Sequence, residues 1–267
     1  MNDATNADTS AQAEKSKGAR KAAKPKQGLG AFLLELVAIV VIGLLVTTGL
    51  RAFVFQPFEV PSGSMLNTLQ VNDKIVALRV IDFKRGDIVV FQDTNRWLGP
   101  PREPNAVRRA LEFVGVLPSS AEGHLVKRVI GMPGDRVACC DDQGRMTIND
   151  QPLDESAYLF ADETGVVKAA EVSFEVVVPA GHIFVLGDHR NASGDSRCHL
   201  QDVSMQGGPP GAAAFIPVDS VVGTVTLVMA PISRIQQFTT PEVFAAVPEP
   251  AAPAPAEAQL VHVGEGC

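Results

Sequence analysis

Residues 29–50 read LGAFLLELVAIVVIGLLVTTGL, an almost unbroken apolar run. Wound as a helix at about 1.5 Å per residue it reaches roughly 30 Å, the thickness of a bilayer's hydrocarbon core. A transmembrane helix over 29–51 therefore divides the chain into a short tail before it and a domain behind it. A cleaved secretory signal would also carry basic residues ahead of an apolar core. The run is longer than a usual signal core, and Arg51-Ala52-Phe53-Val54-Phe55 follows where a small-residue cleavage site belongs, so the reading taken is an uncleaved anchor. Glu35 is its one ionisable residue and, lying near the start, can snorkel to the interface or pair with another helix.

Outward from the anchor, residues 1–28 carry Lys15, Lys17, Arg20, Lys21, Lys24 and Lys26 against Asp3, Asp8 and Glu14. A basic flank stays in the cytoplasm, which places everything after about Arg51 outside. With no apolar period, the flank reads as a disordered tail. Its net +3 leaves −10 for residues 29–267, and so acidic an ectodomain argues against nucleic acid as a partner. At the far end, residues 239–267 are rich in Pro and Ala, hold acidic residues without Lys or Arg from Pro241 onward, and read as an extended, disordered tail.

Between these tails, short β-branched runs alternate with turn residues. Lys74–Leu78, Asp87–Phe91, Leu125–Ile130, Asp135–Cys139, Met146–Asn149, Val172–Val178, His182–Leu186 and Val221–Met229 read as strands, making residues 52–238 a mostly β domain. Val107, Ala110, Leu111 and Val114 recur at helical spacing behind Asn105 as a cap, with Gly115 and Pro118 to end the helix. Asp154 to Ala170 reads as a long connection. No Cys-x-x-Cys or His spacing suggests a metal site. Of Cys139, Cys140, Cys198 and Cys267, the adjacent pair cannot bridge each other without strain. Either one of them bridges Cys198, or the thiols are free.

Three polar clusters stand at turn-like positions. In Pro61-Ser62-Gly63-Ser64-Met65 the glycine permits a tight turn that exposes Ser64, aims its N–H and brings the Ser62 hydroxyl to the same spot; Ser-Gly-Ser is also a common loop sequence. In Leu125-Val126-Lys127-Arg128-Val129-Ile130 strand alternation turns one of the two charges toward the apolar side. A buried lysine loses its proton more easily, which suits it as a base; an edge strand with both charges solvated is the alternative. The third, Gly187-Asp188-His189-Arg190-Asn191-Ala192-Ser193-Gly194-Asp195-Ser196-Arg197, packs carboxylates, guanidinium groups and hydroxyls as an ion-pair network or a solvated loop would. His189 is the one imidazole in these clusters and reads as a surface residue or a base.

Taken together and in this order, behind an N-terminal anchor, the boxes PSGSMLNTL (61–69), RGDIVVF (85–91), KRVIGMPGD (127–135) and Gly187–Arg197 resemble those of the bacterial type I signal peptidases, membrane-bound serine proteases that remove signal peptides from exported proteins. The resemblance spans about residues 30–235. It implies an antiparallel β catalytic domain with a smaller inserted β region, here about 95–122 and 139–180. Ser64 is then the nucleophile and Lys127 the general base, with no cofactor and no metal. Ser62 and Ser64 form the oxyanion hole. Ser193 orients the Lys127 amine, while Asp195, Arg197 and Asp188 brace it. Phe58, Val60, Pro61, Met65, Leu69, Leu125 and Val126 match the family's shallow pocket walls for small side chains, although their apolar character suits a core equally.

The implied partners are preproteins with Ala-x-Ala type sites and the lipid bilayer of the plasma membrane, crossed once with the N-terminus inside. The implied working state is a monomer. Asn67 stands where the family often has Pro, implying a looser turn, and His189, Asn191 and Ala192 depart from the usual Asn, Asp and Asn. Two other readings use the same residues: a self-cleaving Ser–Lys repressor-like protein, for which the chain lacks a DNA-binding helix pair, and a tethered β-domain that only binds.

Overall fold

The computed structural model describes residues 29–99, 106–113, 123–202 and 208–264; the expected tail 1–28, the cap Asn105 and the stop residues Gly115 and Pro118 lie outside them. Helix α1 (Leu29–Phe53) is apolar on every side, and Phe32, Leu34, Ile39 and Leu45 around its circumference are exposed. Among the described residues its Gly30–Leu50 segment is the one helix long and apolar enough to cross a membrane. The hydroxyl of Thr47 donates back to Gly43 O (2.8 Å), so this polar group finds its partner within the helix.

The rest of the chain is strand-rich: β1 (Phe55–Glu59), β2 (Lys74–Leu78), β3 (Ile88–Gln92), then helix α2 (Ala106–Phe113), β4 (His124–Gly131), β5 (Arg136–Cys139), β6 (Met146–Ile148), β7 (Gln151–Pro152), β8 (Ala161–Asp162), β9 (Gly165–Val166), β10 (Phe174–Val177), β11 (His182–Leu186), β12 (Ile216–Pro217), β13 (Val221–Ala230), β14 (Gln236–Gln237) and β15 (Gln259–Val263). The larger sheet runs β1-β2-β13-β3-β4-β11-β12, with β14 on β13. Its ladders are antiparallel. Strand β2 buries alternate residues, Ile75 and Ala77, as a period of two requires. Strands β3 and β11 are covered on both faces, which is why they read as continuous apolar runs.

A second antiparallel sheet runs β15-β10-β5-β6-β7. It packs on the first through a shared core in which Val137, Met146, Ile148, Phe174 and Val176 meet Ile130, Phe184 and Leu186. This sheet begins at Arg136 and takes its edge from the chain's far end, so it is not confined to the insertion expected over 139–180.

The segment expected as a disordered tail from residue 239 is ordered through Gly264. Phe244 and Val247 are buried in the shared core, and β15 pairs with β10. Gly86, at a φ of 87°, has no side chain because an added Cβ would lie 2.4 Å from the Phe244 ring. Composition misleads here because proline lacks a donor but keeps its carbonyl. The Pro248 carbonyl accepts from Asn149 Nδ2 (2.8 Å) and the Pro255 carbonyl from the Ala180 N–H (2.8 Å). Cys139 and Cys140 are disulfide-bonded to each other, so neither bridges Cys198, and no described cysteine is a free thiol; spacing along the chain does not report which thiols meet.

Candidate active site

The Ser64 loop hangs between β1 and β2 and is held from below by its own apolar residues. Val60, Met65 and Leu69 are buried with Phe58, Ile75 and Val90, while the turn closes through Leu66 N–H to Gly63 O (3.1 Å) and Leu69 N–H to Met65 O (2.7 Å). At the loop's end the buried Asp73 carboxylate receives the Gln70 N–H (2.8 Å) and both Arg234 donors (2.8 and 3.0 Å). Ser64 is thereby buried at 8% exposure, and Ser62 and Pro61 stay exposed.

Lys127 and Arg128 lie on β4, opposite Val89 and Ile88 of β3. Alternation predicts one buried charge, yet both are buried, at 2% and 3% exposure, because other chain segments cover β4 on both faces. Lys127 Nζ donates to Ser64 Oγ at 2.6 Å. Loss of water lowers the Lys127 amine from 10.5 to about 8; Arg197 pushes the same way, and Asp195 and Asp188 pull it back up. Arg128 turns elsewhere. It grips Asp188 with two nitrogens (2.8 and 2.6 Å), donates to Gly86 O (2.7 Å), and lies 4.2 Å over the Tyr158 ring.

Behind the lysine, the loop after β11 supplies the remaining charge. Burial by itself would raise the Asp195 carboxyl. The two Arg197 bonds (2.8 Å each), the Gly187 N–H (3.0 Å) and Lys127 outweigh burial and hold the group below the usual carboxylate range. Ser193 is buried beside them, but its Oγ has no hydrogen-bond partner among the described residues; the bond to Lys127 that the resemblance implies is not present. An added Cβ on Gly187 would lie 2.2 Å from that Oγ and 2.4 Å from Ser64 O, so this position must be glycine for Ser64 and Ser193 to approach.

Of the seven expected pocket walls, Phe58, Val60, Met65 and Leu69 are core residues. Leu125 and Val126 are half-buried, packed against neighbouring clusters, and Pro61 is exposed. Among the described residues no group of His, Cys, Asp or Glu side chains could hold a metal ion.

Sequence reasoning missed the segment Glu155–Phe160, read as mere connection. Glu155 receives Arg190 through two bonds (2.9 and 2.5 Å) and is bonded by the Tyr158 hydroxyl. The Leu159 carbonyl accepts from Asn67 Nδ2 (3.1 Å), and the Phe160 N–H donates to Asp188 O (3.0 Å). The one available signal was the chain's single tyrosine, three residues after Glu155, in a stretch otherwise lacking alternation.

The sequence profile of the family described as "Signal peptidase, peptidase S26" matches residues 33–230. Signal peptidase I of Mycobacterium tuberculosis (strain ATCC 25618 / H37Rv) is 33% identical over 82% of this chain and 81% of its own length. A probable signal peptidase I of Mycobacterium leprae (strain TN) is 34% identical over 79% of this chain and 80% of its own length. Signal peptidase I U of Bacillus subtilis (strain 168) is 29% identical, covering 76% and 90%. A solved signal peptidase I from Enterococcus faecalis V583 is 22% identical, covers 55% of this chain and 99% of its own, and superposes with a TM-score of 0.34.

Proposed function

Because the chain belongs to the signal peptidase, peptidase S26, family, we propose that it is a membrane-anchored serine endopeptidase that removes signal peptides from exported preproteins, cutting after small residues at Ala-x-Ala type sites. The observation that carries this reading is the 2.6 Å contact between a buried lysine amine and a buried serine hydroxyl. Helix α1 anchors the enzyme in the plasma membrane, with the basic N-terminus inside and the β domain outside. It works as a monomer.

In this reading the neutral Lys127 amine removes the Ser64 proton as Oγ attacks the scissile carbonyl, and the developing oxyanion is met by the Ser64 N–H and the Ser62 hydroxyl. The Lys127 ammonium then returns the proton to the departing amine, which becomes the N-terminus of the mature protein, and leaves the signal peptide as an ester on Ser64. Water, giving one proton to Lys127, attacks the ester; that proton passes to Ser64 Oγ as the ester bond breaks, and the signal peptide departs as a carboxylic acid that loses its remaining proton to solvent. Asp195, Arg197 and Asp188 brace the site behind Lys127, Ser193 lies within the same buried cluster, and Leu125, Val126 and Pro61 supply the surface nearest the substrate side chains.

The test is cleavage of a preprotein carrying an Ala-x-Ala site by the full chain in detergent. Ser64→Ala and Lys127→Met should each abolish processing, and full activity in either variant overturns the assignment.

A further inference from the structure

His189 belongs to the loop after β11, far in sequence from the Ser64 turn, yet it holds that turn at two points. Its backbone N–H donates to Ser64 O (3.1 Å), and its Nδ1 meets Gly63 O at 3.2 Å. A carbonyl oxygen only accepts, so Nδ1 carries the proton in that bond. The Gly63 carbonyl and the Ser64 N–H are the two ends of one planar peptide unit and point in opposite directions. Fixing the carbonyl therefore aims the N–H, which has no acceptor among the described residues.

The Gly63 carbonyl also accepts the Leu66 N–H (3.1 Å), but that bond lies within the turn and moves with it. The His189 bond refers the peptide to the loop that carries Asp188 and Asp195. The imidazole is itself held in place. It packs on the Phe160 ring with centroids 4.0 Å apart, and the Phe160 N–H is bonded to the carbonyl of Asp188, the residue before the histidine.

We propose that His189 is a positioning residue that, through Gly63 O, orients the Ser64 N–H toward the developing oxyanion. This rests on the serine peptidase reading above and assigns to the histidine a role in the transition state rather than in substrate binding. Misaiming a donor costs less than deleting one, so the expected loss is in kcat, by about 10- to 100-fold, with KM within about twofold.

The decisive comparison is His189→Asn against His189→Gln in the full chain, in detergent, on a preprotein with an Ala-x-Ala site. The asparagine amide nitrogen falls where Nδ1 lies and restores the bond to Gly63 O, whereas the glutamine amide reaches past it. His189→Asn should keep kcat within about threefold of the unaltered chain, and His189→Gln should lose about 10-fold or more at unchanged KM. Equal kcat values for the two amides, or a loss confined to KM, overturn the proposal. Ser64→Ala run alongside separates the two claims: a cleaving Ser64→Ala removes the peptidase reading itself, while an inactive one beside two equal amides removes only the role of His189.

Discussion

Lys127 Nζ lies 2.6 Å from Ser64 Oγ, with neither side chain open to solvent. Only the neutral amine can take the hydroxyl proton, and burial, aided by Arg197 and opposed by Asp195 and Asp188, brings the amine down to about 8. Below that value the neutral fraction grows about tenfold per pH unit. The kcat/KM for a preprotein should therefore climb with pH and level off above about 8, a limb set by Lys127 in the free enzyme. A flat profile from about pH 6 upward would mean that no such amine is involved.

The same burial carries a cost in stability. Below about 8 the folded and unfolded chains both hold the Lys127 proton, and the penalty for a buried ammonium is present in full. Between about 8 and 10.5 the unfolded chain keeps a proton that the folded chain has released, so stability rises with pH across this window. The gap corresponds to about 3 kcal/mol. Lys127→Met keeps the stem, removes the charge and loses the Ser64 bond, worth about 1 kcal/mol. An inactive variant more stable by about 1–3 kcal/mol at pH 7 is expected, its advantage fading above about pH 8, read from unfolding midpoints of the two chains across pH. An unaltered or lower midpoint at pH 7 would count against a desolvated lysine.

Gly187 tests the packing that brings the loops together. A methyl there would stand 2.4 Å from the Ser64 carbonyl and 2.6 Å from Ser193 Cβ, distances no flexible side-chain end can relieve, since one neighbour is backbone. Gly187→Ala should displace the Ser64 turn from Lys127. The expected result is a kcat lower by about 100-fold or more, with a stability loss of about 1–3 kcal/mol measured by denaturant unfolding. Activity within about twofold of the parent would show that the turn tolerates a larger separation.

Much of this was legible from local pattern. Short apolar, β-branched runs such as Lys74–Leu78 and His182–Leu186 give strands because strand preference is written in adjacent residues, whether one face is covered, as in the first, or both, as in the second. Lys127 stood out as a charge that strand alternation can turn toward the apolar side, and Ser64 as a serine on a glycine turn, read as exposed although the structure buries it. What escaped depends on partners distant in sequence. Arg128 and Arg190 look like surface charges until Asp188 and Glu155 are seen to enclose them, and β15 is a strand only because β10 offers it an edge. The four pocket candidates that proved to be core illustrate the same limit, since apolar residues beside a nucleophile serve a wall or an interior equally well.

Asn67 supplies the sharpest disagreement with the pattern the chain resembles. The expected loosening of the turn is not seen: Asn67 takes a φ of 80°, its Nδ2 donates to Leu159 O (3.1 Å), and the next residue, Thr68, donates its hydroxyl to Asp188 (2.5 Å). Asparagine tolerates this left-handed backbone better than most residues, whereas proline is locked near a φ of about −65° and also constrains the residue before it. Asn67→Pro, though it restores the family's frequent residue, should therefore cost about 3 kcal/mol or more, because Thr68 would be pulled from the Asp188–Arg128 pair. Asn67→Gly keeps the backbone and loses only the amide bond, for about 1 kcal/mol. The ordering is what denaturant unfolding of the full chain would read: glycine close to the parent and proline far below. A proline variant as stable as the parent would show that the turn does not need its left-handed residue.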